Sequence, residues 1–431
     1  MRAVIMAGGK GKRLKSITRD EIPKPMALIN GKPILQWQIE CLHRNGITDI
    51  CLVIGYLGEK IQQAFGDGSA LGVNLYYYKE ETPLGTAGAL SHLNHFIQGE
   101  TFLLAYGDCI FDIDISRMTA FHEKVNAYAT LFAHPNSHPY DSDILILENT
   151  GRVSGIIAKN TPRNGWYDNM VNAGLYILSG EVCNQIPIGR PVDLEKEYLS
   201  KLIGQGKIYG YVSTEYIKDA GTPERIQEVS IALSAGIVSA RNLQNKQKCI
   251  FIDRDGTINI ANGLIHKPED FELIPTAANA IRKINNSGYL AIVITNQPVV
   301  ARGLCDIETV EEIHHKMKTQ LGAEGAYVDA IYYCPHHPDK GYPEENPAYK
   351  IPCNCRKPGT AMINQAITHH NISPKSSWIV GDTTTDIQTG KNAGLKTALV
   401  KTGSAGQDGK YTATPDITTQ DLHEAIAQIL K

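Results

Sequence analysis

The chain has 431 residues, longer than one hydrophobic core usually serves, so two domains are expected. Its 42 Lys+Arg against 45 Asp+Glu leave a formal net charge of −3 with no basic stripe, which argues against a nucleic-acid surface. No apolar run is long enough to span a bilayer, the N-terminus lacks a signal-peptide layout, and nine mostly scattered cysteines speak against a disulfide framework. The expectation is a cytoplasmic protein with small-molecule substrates and no membrane partner. A homo-oligomer is compatible with the sequence.

From the N-terminus, residues 3–6, 50–56, 74–79 and 102–106 read as strands, and 33–44 and 85–97 as helices. This βαβα rhythm predicts a mostly parallel, doubly wound sheet. Closely spaced strand-like runs at 128–134, 143–148 and 152–158 suggest an antiparallel addition. A long helix is expected over 223–241, running into a polar stretch without a period, and Cys249-Ile250-Phe251-Ile252 opens a new alternation. The fold class is therefore α/β with two Rossmann-like domains, 1–240 and 248–431, joined by a linker at 241–247.

The first domain carries the run Ala7-Gly8-Gly9-Lys10-Gly11-Lys12-Arg13 directly after a strand. Glycines let backbone N–H groups approach phosphate, and Arg13 and Lys24 can neutralise its oxygens. The loop is neither a Walker motif nor the dinucleotide fingerprint. It is followed in order by Ile22-Pro23-Lys24-Pro25-Met26, Pro83-Leu84-Gly85-Thr86-Ala87-Gly88, Gly107-Asp108, Val171-Asn172-Ala173-Gly174 and Asp219-Ala220-Gly221-Thr222-Pro223. In this order, over about 1–230, the set resembles the sugar-1-phosphate nucleotidyltransferases. The resemblance implies a mixed-sheet domain in which Gly8, Gly9, Gly11 and Arg13 hold a triphosphate and Lys24 sits near the transferred phosphate. It further implies that Gly85 and Thr86 lie beside the base, Asp108 and Asp219 hold Mg²⁺, and Asn172 and Gly174 contact the sugar. Lys159 and Glu195 are additional sugar-site candidates. The family usually shows Glu-Lys-Pro where this chain has Ala158-Lys159-Asn160, and Glu195 could equally serve as a charge at a helix N-terminus. Such a site works by positioning and charge neutralisation, with no covalent protein intermediate.

In the second domain, Phe251-Ile252-Asp253-Arg254-Asp255-Gly256-Thr257 sets two carboxylates two residues apart after an apolar strand. Asp-x-Asp-Gly alone could suit a calcium loop, but the preceding segment is a strand and no bidentate glutamate follows at the needed distance. With Ile294-Thr295-Asn296-Gln297, Arg356-Lys357-Pro358 and Gly381-Asp382-Thr383-Thr384-Thr385-Asp386, the run resembles the haloacid dehalogenase superfamily. That resemblance implies Asp253 as nucleophile, Asp255 as general acid and base, and phosphate binding by Thr295, Asn296, Arg356 and Lys357. It places Mg²⁺ between Asp253, the backbone carbonyl of Asp255 and Asp382. The 42 residues from Asp253 to Thr295 leave no room for a substantial cap. The later connection instead carries Cys334-Pro335-His336-His337 and Cys353-Asn354-Cys355. Cys334, His336, Cys353 and Cys355 fit a closed tetrahedral Zn²⁺ site stapling a loop without a core of its own, with His337 an alternative to His336.

A zinc loop in this place, together with Pro268-Glu269-Asp270-Phe271-Glu272-Leu273-Ile274-Pro275, is similar to the heptose bisphosphate and histidinol phosphatases. Those enzymes commonly carry lysine where this chain has Thr383. Glu21-Ile22-Pro23-Lys24-Pro25-Met26-Ala27 resembles the heptose-1-phosphate guanylyltransferases. The combination implies a bifunctional enzyme that removes the 7-phosphate of a heptose 1,7-bisphosphate and joins the heptose 1-phosphate to a nucleotide, GTP being favoured over other NTPs. Another sugar phosphate, a histidinol-phosphate-type phosphatase, or a silent nucleotide-sugar sensor in the first domain are the competing expectations.

Overall fold

The computed structural model describes residues 1–9 and 11–431, so Lys10 of the glycine loop lies outside the described residues. The chain divides into two compact units. One comprises Met1–His134, Asp143–Ala158 and Met170–Asn242, the other Pro135–Ser142, Lys159–Asn169 and Leu243–Lys431.

The first unit is built on a nine-stranded mixed sheet. Asn74–Lys79, Asp49–Ile54, Arg2–Met6 and Phe102–Tyr106 pair in that order and run parallel. Ala3, Val4 and Ile5 are all fully buried, the unbroken apolar run of a parallel strand covered on both faces. Val171–Leu178 then runs antiparallel to Phe102–Tyr106, and Ala129–His134, Ile144–Leu147, Val153–Ile157 and Ile208–Val212 extend the sheet from it. A separate antiparallel pair joins Cys109–Asp112 to Tyr216–Asp219. Helix Ile34–Arg44 buries Ile34, Leu35, Gln38, Ile39, Cys41 and Leu42, a stripe at helical spacing.

Two helices expected from sequence are shorter than their patterns. Over 85–97 the chain forms a 3₁₀ segment, Gly88–His92, and one α turn, Asn94–Ile97. The start of that pattern is taken by backbone bonds to the 192 region, Ala87 N–H to Val192 O at 3.0 Å and Val192 N–H to Leu84 O at 2.9 Å. These hold Gly85 at φ +78, outside helical space. The stretch 223–241 breaks into Pro223–Ser234 and Ile237–Ala240 because Gly236 adopts φ +71.

The second unit has six parallel strands in the order Ala330–Cys334, Tyr289–Asn296, Lys248–Ile252, Trp378–Gly381, Lys396–Val400, Ile417–Thr419. Its first strand in sequence lies inside the sheet, so connections leave it on both sides and a crevice opens at the carboxyl ends. Asp253, Thr295, Asn296, Cys334 and Asp382 all sit at or just after such ends. The polar stretch before that strand is tied down. Asn371 Nδ2 donates to the carbonyls of Leu243 (2.9 Å) and Asn245 (3.1 Å), and Gln247 is buried. No helix among the described residues is long and apolar enough to cross a membrane.

Two candidate active sites

In the first unit, buried Gln38 donates to the carbonyls of Tyr106 (2.8 Å) and Cys109 (2.7 Å), fixing the turn that presents Asp108. Asp219 ends the strand paired with Cys109–Asp112, in register with Cys109, and Ala220 N–H donates to Asp108 O at 2.7 Å. The two aspartates therefore emerge from adjacent strand ends. Lys24 ion-pairs with Asp108, and Arg225 Nη1 lies 2.8 and 2.6 Å from the two carboxylate oxygens of Asp219. A Cβ at Gly221 would sit 2.8 Å from Asp219 Oδ1, 3.1 Å from Arg13 Nη2 and 3.2 Å from Lys24 Nζ. Arg13, Lys24 and Asp219 thus converge where only glycine leaves room. The chemistry fits a divalent ion held by two carboxylates and completed by phosphate oxygens.

The glycine loop abuts this cluster, since a Cβ at Gly11 would stand 2.7 Å from Lys24 Cβ, while Gly9 faces open space. Gly8 marks a residue that the motifs did not single out. Glu80 Oε2 lies 2.7 Å from where its Cβ would be, and Glu80 Oε1 accepts the Leu84 N–H at 3.1 Å. Burial pushes the Glu80 carboxyl up. Thr86 Oγ1 accepts the Leu194 N–H at 2.8 Å, anchoring the 85–86 turn to the segment that bears Glu195.

Glu195 lies in the helical turn Leu194–Leu199, half-buried and turned onto two tyrosines rather than projecting as a helix-end charge. It accepts hydrogen bonds from Tyr106 (2.7 Å) and from Tyr176; Asn172 Nδ2 donates to Tyr176 Oη at 3.0 Å, and Gly174 N–H reaches Asn172 Oδ1 at 3.4 Å. Burial raises the Glu195 carboxyl, against the pull of the two phenols. Asn172, Gly174 and Glu195 are thus brought together, and Tyr106 and Tyr176 join them. Lys159 is exposed and falls in the segment Lys159–Asn169, which groups with the second unit.

In the second unit, Lys357 bridges two carboxylates, 2.8 Å from Asp253 Oδ1 and 2.6 Å from Asp386 Oδ1. Asn296 holds the Lys357 backbone, accepting its N–H at 2.9 Å and donating to its carbonyl at 3.3 Å. Asp386 is fully buried, and its other oxygen accepts from Thr383 N (3.1 Å) and Oγ1 (2.5 Å) in a capping box that starts helix Thr384–Ala393. Thr383 therefore orients Asp386, which in turn orients Lys357. Carboxylate oxygens of Asp253, Asp382 and Asp386 gather within 4.8 Å of one another. Gly256 and Gly403, at φ +82 and +63, cradle Asp382, and Cβ atoms there would stand 2.6 and 2.3 Å from its Oδ2. Asp382 Oδ1 is buried with no hydrogen-bond partner among the described residues.

Burial and Asp386 push Asp253 up to about 8, and burial pushes Asp382 up to about 6. Lys357 is held protonated by Asp253 and Asp386, which outweigh its burial. Three carboxylates around one ammonium leave uncompensated negative charge, so the donor set suits a divalent cation. Asp255 differs. Burial would raise it, but Arg254, Gln297 and Asn259 outweigh burial and hold it below the usual carboxylate range. Arg254 is fully buried, with Nη2 2.9 Å from each Asp255 oxygen and 3.0 Å from Gln297 Oε1. Thr295 is buried behind Asp253's strand end, its Oγ1 accepting from Gln297 at 2.9 Å.

Cys334, His336, Cys353 and Cys355 also form one cluster. Cys334 Sγ lies 3.5 Å from Cys353 Sγ and 3.2 Å from Cys355 Sγ, and His336 Nδ1 lies 3.3 Å from Cys355 Sγ. These separations approach the roughly 3.8 Å edge of a tetrahedron with metal–sulfur bonds near 2.3 Å. His337 instead faces Asp339, 3.6 Å from its carboxylate. Arg356 Nη1 donates to His336 O at 3.3 Å, linking this cluster to the Arg356–Lys357 pair.

The nucleotidyl transferase family profile matches residues 2–235, and a HAD-hydrolase-like profile matches 354–425. A D-glycero-beta-D-manno-heptose-1,7-bisphosphate 7-phosphatase of Pasteurella multocida is 41% identical over 170 residues, 39% of this chain and 89% of its own. The chain belongs to the nucleotidyl transferase family in its first half and to the HAD-like phosphatases in its second. The nucleotidyl transferase half is also 33% identical, over 225 residues, to a D-glycero-alpha-D-manno-heptose 1-phosphate guanylyltransferase of Campylobacter jejuni, spanning 52% of this chain and 96% of that one. A mannose-1-phosphate guanylyltransferase of Mycobacterium tuberculosis is 33% identical over 244 residues, 56% of this chain and 67% of its own. This is a bifunctional enzyme with nucleotidyl-transfer and phosphatase activities.

Proposed function

We propose that the phosphatase removes the 7-phosphate of D-glycero-D-manno-heptose 1,7-bisphosphate and that the transferase couples the resulting heptose 1-phosphate to GTP. The observation carrying this reading is the pairing on one chain of similarity to two alpha-anomer relatives whose names join in consecutive steps: the guanylyltransferase above, matched over 96% of its length, and a D-glycero-alpha-D-manno-heptose-1,7-bisphosphate 7-phosphatase of Photorhabdus laumondii, 40% identical and matched over 85% of its length. The domains proposed for the two steps are 1–240 and 248–431.

In the phosphatase, Asp253 attacks phosphorus and the sugar alkoxide leaves, giving an aspartyl-phosphate, which water then hydrolyses. Asp255, a carboxylate in the resting protein, relays a proton from the substrate's phosphate monoanion to the leaving oxygen, then takes one from the attacking water and passes it to solvent, ending as it began. Arg254 keeps its carboxylate form stable between the two steps. Lys357, Thr295, Asn296 and Arg356 hold the transferring phosphate. Mg²⁺ held by Asp253, Asp382 and the Asp255 carbonyl would offset the charge of carboxylates facing a phosphate dianion. A Zn²⁺ held by Cys334, His336, Cys353 and Cys355 would be structural, since four protein ligands leave no open position.

In the transferase, a phosphate oxygen of the sugar attacks the α-phosphorus and the bond to the bridging oxygen breaks, releasing pyrophosphate. Gly8, Gly9, Gly11 and Arg13 hold the triphosphate, Lys24 steadies the α-phosphate, and Asp108 and Asp219 would hold a second Mg²⁺. Asn172, Gly174 and the Glu195 carboxylate with its two phenols meet the sugar hydroxyls, Gly85 and Thr86 flank the base, and Lys159 stays a candidate for the sugar phosphate. Glu80, beside Gly8, suits guanine, whose N1–H and N2–H₂ donors match one carboxylate. The mannose-1-phosphate relative supports a hexose as the competing sugar. Turnover of heptose 1,7-bisphosphate with each nucleoside triphosphate, followed by product identification, tests the reading. A GDP-heptose and two phosphate products are expected; mannose 1-phosphate turning over faster than heptose 1-phosphate would overturn the sugar assignment.

A further inference from the structure

Arg225 stands in the first turn of helix Pro223–Ser234, its backbone N–H capped by Thr222 at 3.3 Å, and its side chain turns back across Asp219. A single nitrogen, Nη1, contacts both carboxylate oxygens, at 2.8 and 2.6 Å. That is the open edge of the carboxylate, where a chelated cation would sit. Oδ1 additionally accepts the Gly221 N–H at 3.1 Å. The Arg225 side chain is 16% exposed, so water screens the pair only in part. Lys24 grips Asp108 in the same pocket, and Arg13 Nη2 reaches the same point beside Gly221.

Among the described side chains, Asp108 and Asp219 against Arg13, Lys24 and Arg225 sum to one net positive charge. A bare divalent ion would add to that charge while unseating both internal partners. A magnesium–triphosphate complex, net negative, instead gives each displaced cation a phosphate oxygen for the carboxylate oxygen it gives up. A guanidinium does not deprotonate in the working range, so the contact persists at every pH at which the enzyme operates.

We propose, resting on the transferase reading, that Arg225 is an internal counter-cation that closes Asp219 to free divalent ions and yields it to an ion arriving with a nucleoside triphosphate. Arg225 thereby sets the order of loading at this site.

The test uses the full chain carrying Asp382→Asn, which weakens the phosphatase cation site, with Asp108→Asn in the same background marking the transferase site's share. Mn²⁺ binding is followed by electron paramagnetic resonance, without and with a non-hydrolysable GTP analogue. The parent is expected to load Mn²⁺ at the transferase site only with the analogue. Arg225→Met should bind free Mn²⁺ at least about tenfold more tightly, because a positive charge has left the site, while Arg225→Lys stays like the parent. Arg225→Gln carries the same expectation as Arg225→Met and replaces it if the methionine variant unfolds. Unchanged or weaker free-Mn²⁺ binding in a folded Arg225→Met or Arg225→Gln chain would overturn the proposal. Absence of Mn²⁺ uptake in the parent even with the analogue would overturn the transferase reading beneath it.

Discussion

In the first unit, each aspartate placed to meet a metal has a cation of its own, Lys24 for Asp108 and Arg225 for Asp219. In the second, Asp253, Asp382 and Asp386 share a single ammonium, that of Lys357. The first arrangement carries no excess negative charge before any ligand arrives, and the second does. In the second unit, burial drives Asp253 and Asp382 toward protonation until a cation compensates them. The contrast matches the incoming groups: a highly charged triphosphate brings its own ion, while a phosphate monoester must approach a nucleophilic carboxylate that would repel it.

The sharpest way to break this comparison is a substitution that disables both sites. Asp253→Asn is expected to lower phosphate release by about 10⁴-fold or more, since the covalent route is lost, and to leave pyrophosphate release unchanged within about twofold. Loss of both activities would mean that the pockets are not independent. Asp108→Asn should do the reverse, cutting pyrophosphate release on the order of 10²–10³-fold, as for removal of a preorganised charge partner, with phosphatase turnover intact. A smaller effect concerns the base. Glu80→Gln should reduce the kcat/KM preference for GTP over ATP by about ten- to a hundredfold; an unchanged ratio would take Glu80 out of base selection.

The last effect is in stability rather than turnover. His314 is buried against Arg254, and burial, reinforced by that guanidinium, holds its imidazole down to about 4 against the pull of Glu311. The unfolded chain therefore binds more protons than the native one between about pH 6.5 and 4, and stability falls as pH falls through that window, by up to about 3 kcal/mol. Denaturant unfolding of His314→Gln should show a shallower loss over the same range than the parent. Equal slopes would mean that His314 is protonated in the fold.

The strand-end aspartates could be read from the sequence because their signal is local: an apolar run, then Asp253 or Gly381-Asp382, requires only that the run become a strand. The glycine loop is legible for the same reason. The partners of these groups are not. Lys357 meets Asp386 across 29 residues and Glu195 meets Tyr106 across 89, through strand pairings that no short window encodes. The pattern at 85–97 misleads because bonds to Val192 compete with helix, and that at 223–241 because Gly236 adopts left-handed φ. Spacing left His336 and His337 equivalent, and three-dimensional geometry separates them. The replacement of lysine by Thr383 becomes intelligible only with the capping box, in which a short hydroxyl side chain suits the N-cap and the positive charge is supplied by Lys357.

The segments Pro135–Ser142 and Lys159–Asn169 give the chain an interleaved path, passing between its compact units five times rather than once. No single peptide bond can then be cut to yield both bodies whole: cleavage after Asn242 would strand two pieces of the C-terminal body in the N-terminal fragment.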